Sequence, residues 1–401
     1  MLKDIRIKNF KCLEDVEIET RPLTVLIGPN GSGKSSIIQA LLLLKRFVTQ
    51  SSVFSLDNIG DFTSIDYLNL GRYEELVYRH LPDKRIEVGI DVVHDGAVAS
   101  YSVAFGRDQC MARLDSSVPK INLGVNFTLP YPLNSTINTS IDIDGRGYNL
   151  VWNGVLLTIQ PPVPQEERLP DLNPHIPLLR GTYLISPRSL FRSWAYGYGI
   201  PIDPNRIALT DHELISIMVN ESDVDEKVAT WCRRIMEVEV LTRLGPGNMM
   251  KVESRYQRLR VPLALDGTGI NRLAYILAML AYREARLLLV EEPEIHLHPS
   301  RLFALGQQLL PIIKEEGKQV IVTTHDEHMI IGMLTSIAEG SSTREDVAIY
   351  YMQKDGLDAR AKRLEINENG QVEGGLPGFF EANWDITERY LKALAGVEKG
   401  R

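Results

Sequence analysis

The chain has 401 residues, 44% of them hydrophobic and 24% charged, a composition that suits a globular protein of two domains or of one large domain with an insertion. Its formal net charge of −8 argues against a surface built throughout for nucleic acid; a local basic groove stays open, and its densest candidate, Arg233, Arg234, Arg243, Lys251, Arg255, Arg258 and Arg260, reads first as a solvated helix face. No window approaches the ~18 apolar residues of a membrane span, Met1-Leu2-Lys3-Asp4-Ile5-Arg6 lacks the form of a signal peptide, and Cys12, Cys110 and Cys232 are too scattered for a zinc site or a disulfide framework. A cytoplasmic protein without a membrane partner is expected, its cysteines serving as buried small hydrophobes.

Taken in chain order, Ile5 and Ile7, then Val16 and Ile18, recur at period two and predict a strand pair joined near Lys8-Asn9-Phe10-Lys11. Leu23 to Ile27 forms an apolar strand, and Ser36 to Leu44 a helix. From about 85 to 160 short alternating runs punctuated by Gly, Asn and Asp predict antiparallel β structure. The prolines at 161, 162, 164, 170, 174 and 177 predict a connecting loop that ends at a further apolar strand candidate, Thr182 to Arg188. Helical spacing of Leu214, Ile217, Met218, Val228, Trp231, Cys232 and Ile235 predicts a small helical subdomain over 211–241. Continuous apolar strands at 287–290 and 319–324 alternate with helices at 270–285 and 300–316, so the core sheet is expected to be largely parallel and covered by helices. A strand at 347–352, a hairpin around Asp355-Gly356 and a terminal helix from about 383 close the chain.

Between the strand at 23–27 and the helix after it stands Gly28-Pro29-Asn30-Gly31-Ser32-Gly33-Lys34-Ser35, which is G-x-x-x-x-G-K-S in the required strand-to-helix context. Glycines let the backbone wrap around phosphates, so that N–H groups and the helix N-terminus point at negative charge. Asn30, Gly31, Ser32, Gly33, Lys34, Ser35 and Ser36 are therefore the expected triphosphate contacts, with Lys34 on the β and γ phosphates and Ser35 on Mg²⁺. A second element, Leu287-Leu288-Leu289-Val290-Glu291-Glu292-Pro293-Glu294, ends an apolar strand in paired carboxylates, as a Walker B element does. Glu291 is expected to hold Mg²⁺ and Glu292 to orient or deprotonate the attacking water. A third strand, Gln319 to Thr324, delivers His325 to the same sheet edge as a γ-phosphate sensor.

The order of these elements resembles the compact ABC-type ATPases, and specifically the overcoming-lysogenization-defect (OLD) family and its AAA ATPase-like relatives. In that family the N-terminus looks like Ile5-Arg6-Ile7-Lys8-Asn9-Phe10-Lys11, the second motif like Glu291-Glu292-Pro293-Glu294 with His296-Leu297-His298-Pro299, and the switch like Thr324-His325. Tyr67 to Tyr73 and Leu184 to Arg188 look similar to its connecting motifs. The resemblance implies an α/β P-loop NTPase of ABC type, with a mixed or parallel sheet covered by helices and an N-terminal antiparallel β layer. Residues 1–80 and 261–401 would form the ATPase domain and 81–260 a β-rich and helical insertion.

It further implies bound ATP and Mg²⁺, and a homo-oligomer, dimeric or higher, with nucleotide between subunits. Each subunit then lends its neighbour a signature loop, for which Leu265-Asp266-Gly267-Thr268-Gly269-Ile270-Asn271-Arg272 is the candidate. Asp266 stands where many relatives carry Ser, which passes the hydroxyl role to Thr268. His298 falls in the dimer-contact loop, a role preferred over metal binding by His296 and His298. No glutamine is assigned to the glutamine-containing loop. The 76 residues after His325 lack the pattern of a nuclease domain. The expected partner is a separately encoded effector, such as a nuclease, in prokaryotic antiphage defence. DNA stays open as a partner, and a RecF-like repair ATPase or an ATP-bound scaffold with little turnover remains as an alternative.

Overall fold

Leu2, Ile5, Ile7 and Phe10 are buried along a strand whose other positions carry Lys, Asp, Arg and Asn, and that alternation starts an antiparallel layer. The computed structural model describes residues 1–59, 69–131, 136–143, 145–162 and 170–376. Its first part contains β1 (Leu2–Phe10), β2 (Leu13–Glu19), β3 (Leu23–Ile27), α1 (Lys34–Gln50), α2 (Tyr73–Leu76), β4 (Ile86–His94), β5 (Ala97–Phe105), β6 (Cys110–Ser116), β7 (Ile121–Phe127), β8 (Ile137–Ile143), β9 (Arg146–Trp152) and β10 (Leu157–Gln160). Then come α3 (His175–Arg180), β11 (Thr182–Ile185), β12 (Tyr196–Gly197), α4 (Asp211–Asn220), α5 (Ser222–Met236), β13 (Glu239–Gly245), β14 (Met249–Tyr256) and β15 (Leu259–Pro262). The last part holds α6 (Thr268–Ala281), β16 (Leu287–Glu291), α7 (Pro299–Glu315), β17 (Gln319–Thr324), α8 (Glu327–Ala338), β18 (Val347–Asp355) and β19 (Asp358–Leu364).

Six strands in the order β2-β1-β4-β5-β6-β7 form the antiparallel layer, and β10-β9-β8 form a smaller antiparallel sheet. The central sheet runs β11-β16-β17-β3-β18-β19, parallel throughout except for the last hairpin. Its strands read as unbroken apolar runs because each faces two cores. Leu26, Leu287, Leu289 and Ile321 turn toward α1 and the antiparallel layer. Val25, Ile27, Leu288, Val290, Val320 and Val322 turn toward the cluster built with α4 to α8. A fourth sheet, β12-β14-β13 with β15 also on β14, packs beside α4 and α5.

Three expectations need correction. The proline-rich stretch is not loop to its end, because Pro177 lies in the first turn of α3, where its missing N–H would have had no intrahelical partner. The helical region stops at Met236, where Glu237 turns left-handed at φ 61°, and β13 follows from Glu239. Within the basic run only Arg233 and Arg234 are helical, while Arg243, Lys251, Arg255 and Arg260 lie on β13, β14 and β15. Cys110 and Cys232 are buried as expected, and Cys12 is half-buried. The terminal helix from 383, together with Tyr67, Leu68, Val163 and Pro164, falls outside the described residues. Among the described residues no helix is long and apolar enough to cross a membrane.

Helices α7 and α8 approach to backbone contact. A Cβ at Gly306 would lie 2.2 Å from the Met329 carbonyl oxygen, and one at Gly332 would lie 2.2 Å from that of Phe303. Both contacts are below any tolerated separation, so the two helices must part to admit a methyl group. Gly306→Ala is accordingly expected to cost about 1–3 kcal/mol in urea unfolding; an unchanged midpoint would contradict this packing.

Candidate functional site

Three parallel strands end side by side. Ile27 of β3 pairs with Thr324 of β17, and Thr323 pairs with Glu291 of β16, so the loops that follow leave one sheet edge together. The first of them is the phosphate loop. Gly28 takes φ 143°, and a Cβ there would stand 2.2 Å from the Met352 carbonyl oxygen. Gly33, the N-cap of α1, takes φ 95°, and a Cβ would stand 2.8 Å from that of Ala359. Only glycine satisfies both the left-handed backbone and the lack of space.

Inside the loop the Lys34 ammonium donates to the carbonyls of Gly28 at 2.8 Å and Pro29 at 3.0 Å. Burial lowers its pKa below the usual lysine value, while Glu292 and Glu294 oppose that shift. The Ser32 hydroxyl is buried without a hydrogen-bond partner. A cradle closed to side chains, an orphaned hydroxyl and a cation held at its rim fit a polyphosphate.

At the end of β16 the Glu291 carboxylate accepts a hydrogen bond from Ser35, and burial raises its pKa above the usual glutamate value. That pair is a hard oxygen donor set of the kind Mg²⁺ takes. Glu292 begins the next loop in a left-handed conformation, φ 46°, with its N–H bonded to the Thr323 carbonyl at 2.9 Å. Its carboxylate lies 3.6 Å from Nε2 of His325, whose ring also hydrogen-bonds the Gly28 carbonyl. Burial, then Lys34, lowers the His325 pKa, which favours a neutral imidazole at physiological pH. Lys34, Glu291, Glu292 and His325 thus meet at one sheet edge, together with the loop bearing Asn30, Gly31, Ser32, Ser35 and Ser36.

The glycine turn Gly267, Thr268 and Gly269 opens α6, as its sequence predicts. It docks on the loop after β16, where a Cβ at Gly269 would stand 2.5 Å from the His296 carbonyl oxygen. Among the described residues no hydrogen bond or ion pair joins this turn to the phosphate loop. His298 caps α7 by accepting the Ser300 N–H, and no cluster of potential metal ligands occurs among the described residues.

Several supporting residues lie in or beside the motif segments but drew no individual role from the sequence. Arg272 on α6 is fully buried and donates to the carbonyls of Ser186, Ser189 and Glu291. Asn271 beside it brackets Phe191, accepting its N–H and donating to its carbonyl, both at 2.8 Å. Glu294 accepts the His325 backbone N–H at 2.7 Å, and Asp326 caps α8. Lys11 in the β1–β2 turn donates to Gln39 of α1 at 2.6 Å.

Residues 1–88 and 214–330, just over half of the chain, match the AAA ATPase domain family. An OLD nuclease of Thermus scotoductus is 23% identical over 340 residues, covering 81% of this chain. This chain spans only 59% of that nuclease's length. An ATP/GTP phosphatase of Helicobacter pylori is 21% identical over 345 residues, covering 82% of this chain and 86% of its own. In fold the chain is similar to an Smc head solved with the C-winged helix domain of ScpA, with a TM-score of 0.51 and 15% identity over 91% of this chain and 98% of that one.

The raised pKa of Glu291 has a measurable consequence. The folded protein holds that proton more tightly than the unfolded chain, whose value is about 4.5. Stability is therefore lost as pH rises above the unfolded value and through the folded one. Without nucleotide or metal, Glu291→Gln is expected to melt higher than wild type at neutral pH, with the gap closing toward about pH 4. A gap independent of pH in thermal scans would contradict this.

Proposed function

The chain belongs to the AAA ATPase domain family, and from that premise we propose that it is a Mg²⁺-dependent ATPase that assembles around nucleotide and switches a separately encoded effector. The observation that carries this reading is the meeting of the phosphate cradle, the Glu291–Glu292 pair and His325 at the ends of β3, β16 and β17. Residues 1–80 and 261–401 are assigned to the nucleotide-binding body and 81–260 to an insertion.

Asn30 to Ser36 bind the phosphates, with Lys34 leaving its loop carbonyls for the β and γ oxygens. Ser35 and Glu291 would hold Mg²⁺, which when bound neutralises phosphate charge. Glu292 orients and accepts a proton from the attacking water, and the ring N–H of His325 leaves the Gly28 carbonyl for a γ-phosphate oxygen. Gly267, Thr268 and Gly269 of a second copy complete the site with N–H groups at a helix start. The turn's seat against its own chain's His296 carbonyl, with no hydrogen bond or ion pair to its own glycine loop among the described residues, supports this. Similarity to an OLD nuclease supports a nuclease as the effector, and phage defence as the setting follows from the resemblance to the OLD family alone.

Lys34→Ala is expected to abolish ATP binding in calorimetry with the fold intact. Glu292→Gln is expected to keep binding and to slow phosphate release by about 100-fold or more; normal turnover in that variant would contradict the role given to Glu292.

A further inference from the structure

The dispersed basic run becomes a single surface once β13, β14 and β15 pair. Their antiparallel register sets Glu239, Arg255 and Arg260 in one row across the sheet, and Arg243 opposite Lys251 in another. Side chains directly opposite in such a sheet share a face, and alternate residues of one strand share it too. The other face carries Val240, Met250 and Val252, buried against α4 and α5. The basic row is therefore the outer one.

Two carboxylates organise that face without cancelling it. Glu239 takes both Arg233 and Arg255, while Glu253 takes Arg243 at 3.2 Å with Arg260 at 4.0 Å. Each acid steers two guanidiniums, and each guanidinium keeps further N–H donors in its fork. Trp194 is 56% exposed, with the Lys251 ammonium 4.8 Å from its ring centroid. On a chain of net charge −8 this is a concentrated patch of opposite sign.

We propose that this face binds nucleic acid through its phosphate backbone, with Trp194 offering a stacking surface to an unpaired base. Planar guanidiniums match phosphate oxygens, and an exposed indole beside them matches a base, which an acidic polypeptide would not supply. The surface also adjoins the signature turn. Ser254 and Tyr256, on the opposite side of β14, both donate to the Asp266 carboxylate, Tyr256 at 2.8 Å. This inference goes beyond the ATPase reading and does not depend on hydrolysis.

Fluorescence anisotropy of the full chain with a labelled duplex and a labelled poly-dT strand, with and without ATP and Mg²⁺, tests it. Wild type is expected to bind, more weakly as salt rises. Joint Lys251→Gln, Arg255→Gln and Arg260→Gln should weaken both complexes about tenfold or more and lower the salt slope by about 2–3. Trp194→Ala should weaken poly-dT about tenfold and leave the duplex unchanged. A charge-matched control on the antiparallel layer, Arg107→Gln, Arg113→Gln and Lys120→Gln, should bind as wild type. Failure of wild type to bind either strand form, unchanged binding by the first triple variant, or equal loss in the control would each overturn the proposal. Because anisotropy reads binding alone, these outcomes stand apart from any failure of ATP turnover.

Discussion

Register in the central sheet is the constraint on which the remaining geometry depends. The strands β3, β16 and β17 alternate between two apolar cores, so a slip of one residue would turn Leu289 into the core built for Leu288 and Val290. Burial on both faces locks the pairing, and the locked pairing brings Gly28, Glu292 and His325 to one edge. The site inherits its precision from hydrophobic packing rather than from interactions among its own polar groups.

Those polar groups are held at a cost. Glu291 is raised and Lys34 and His325 are lowered in pKa, each chiefly by burial, so all three sit where their charged forms are disfavoured. Glu292 adds a left-handed backbone that a non-glycine residue seldom adopts. Bound polyphosphate and a divalent cation would offset these costs by giving the ammonium an anion and the carboxylate a counter-charge. Arg272 ties α6 to the Glu291 carbonyl and to the loop after β11. Its three carbonyl partners give the two terminal nitrogens of this buried guanidinium their acceptors.

What was legible in the sequence had short-range causes. The glycine loop, the apolar strand before Glu291 and the strand before His325 each announce themselves within a dozen residues, because backbone freedom and two-faced burial leave local marks. Asn271 and Arg272 fall inside the candidate signature segment, but their own roles left no local mark, since their partners Phe191 and Ser186 lie 80 and 86 residues away and are backbone groups that any residue would offer. Pro177 misled because a proline in a first helical turn looks in sequence like one in a loop. The basic run misled for a related reason: charge density was visible, but only strand register reveals that Arg243, Lys251, Arg255 and Arg260 share a sheet face.

The glycine loop, Glu291, Glu292 and His325 of one chain meet at one sheet edge, while the turn at Gly267 to Gly269 packs on the His296 loop and, among the described residues, makes no hydrogen bond or ion pair to the glycine loop. That division is what an interface shared between two copies requires. The most direct test is light scattering of Glu292→Gln protein with and without ATP and Mg²⁺, beside wild type under the same conditions. An ATP-gated assembly predicts a rise in mass for the variant that persists, and one for wild type that decays as ATP is consumed. A mass that ATP leaves unchanged in both proteins would contradict it.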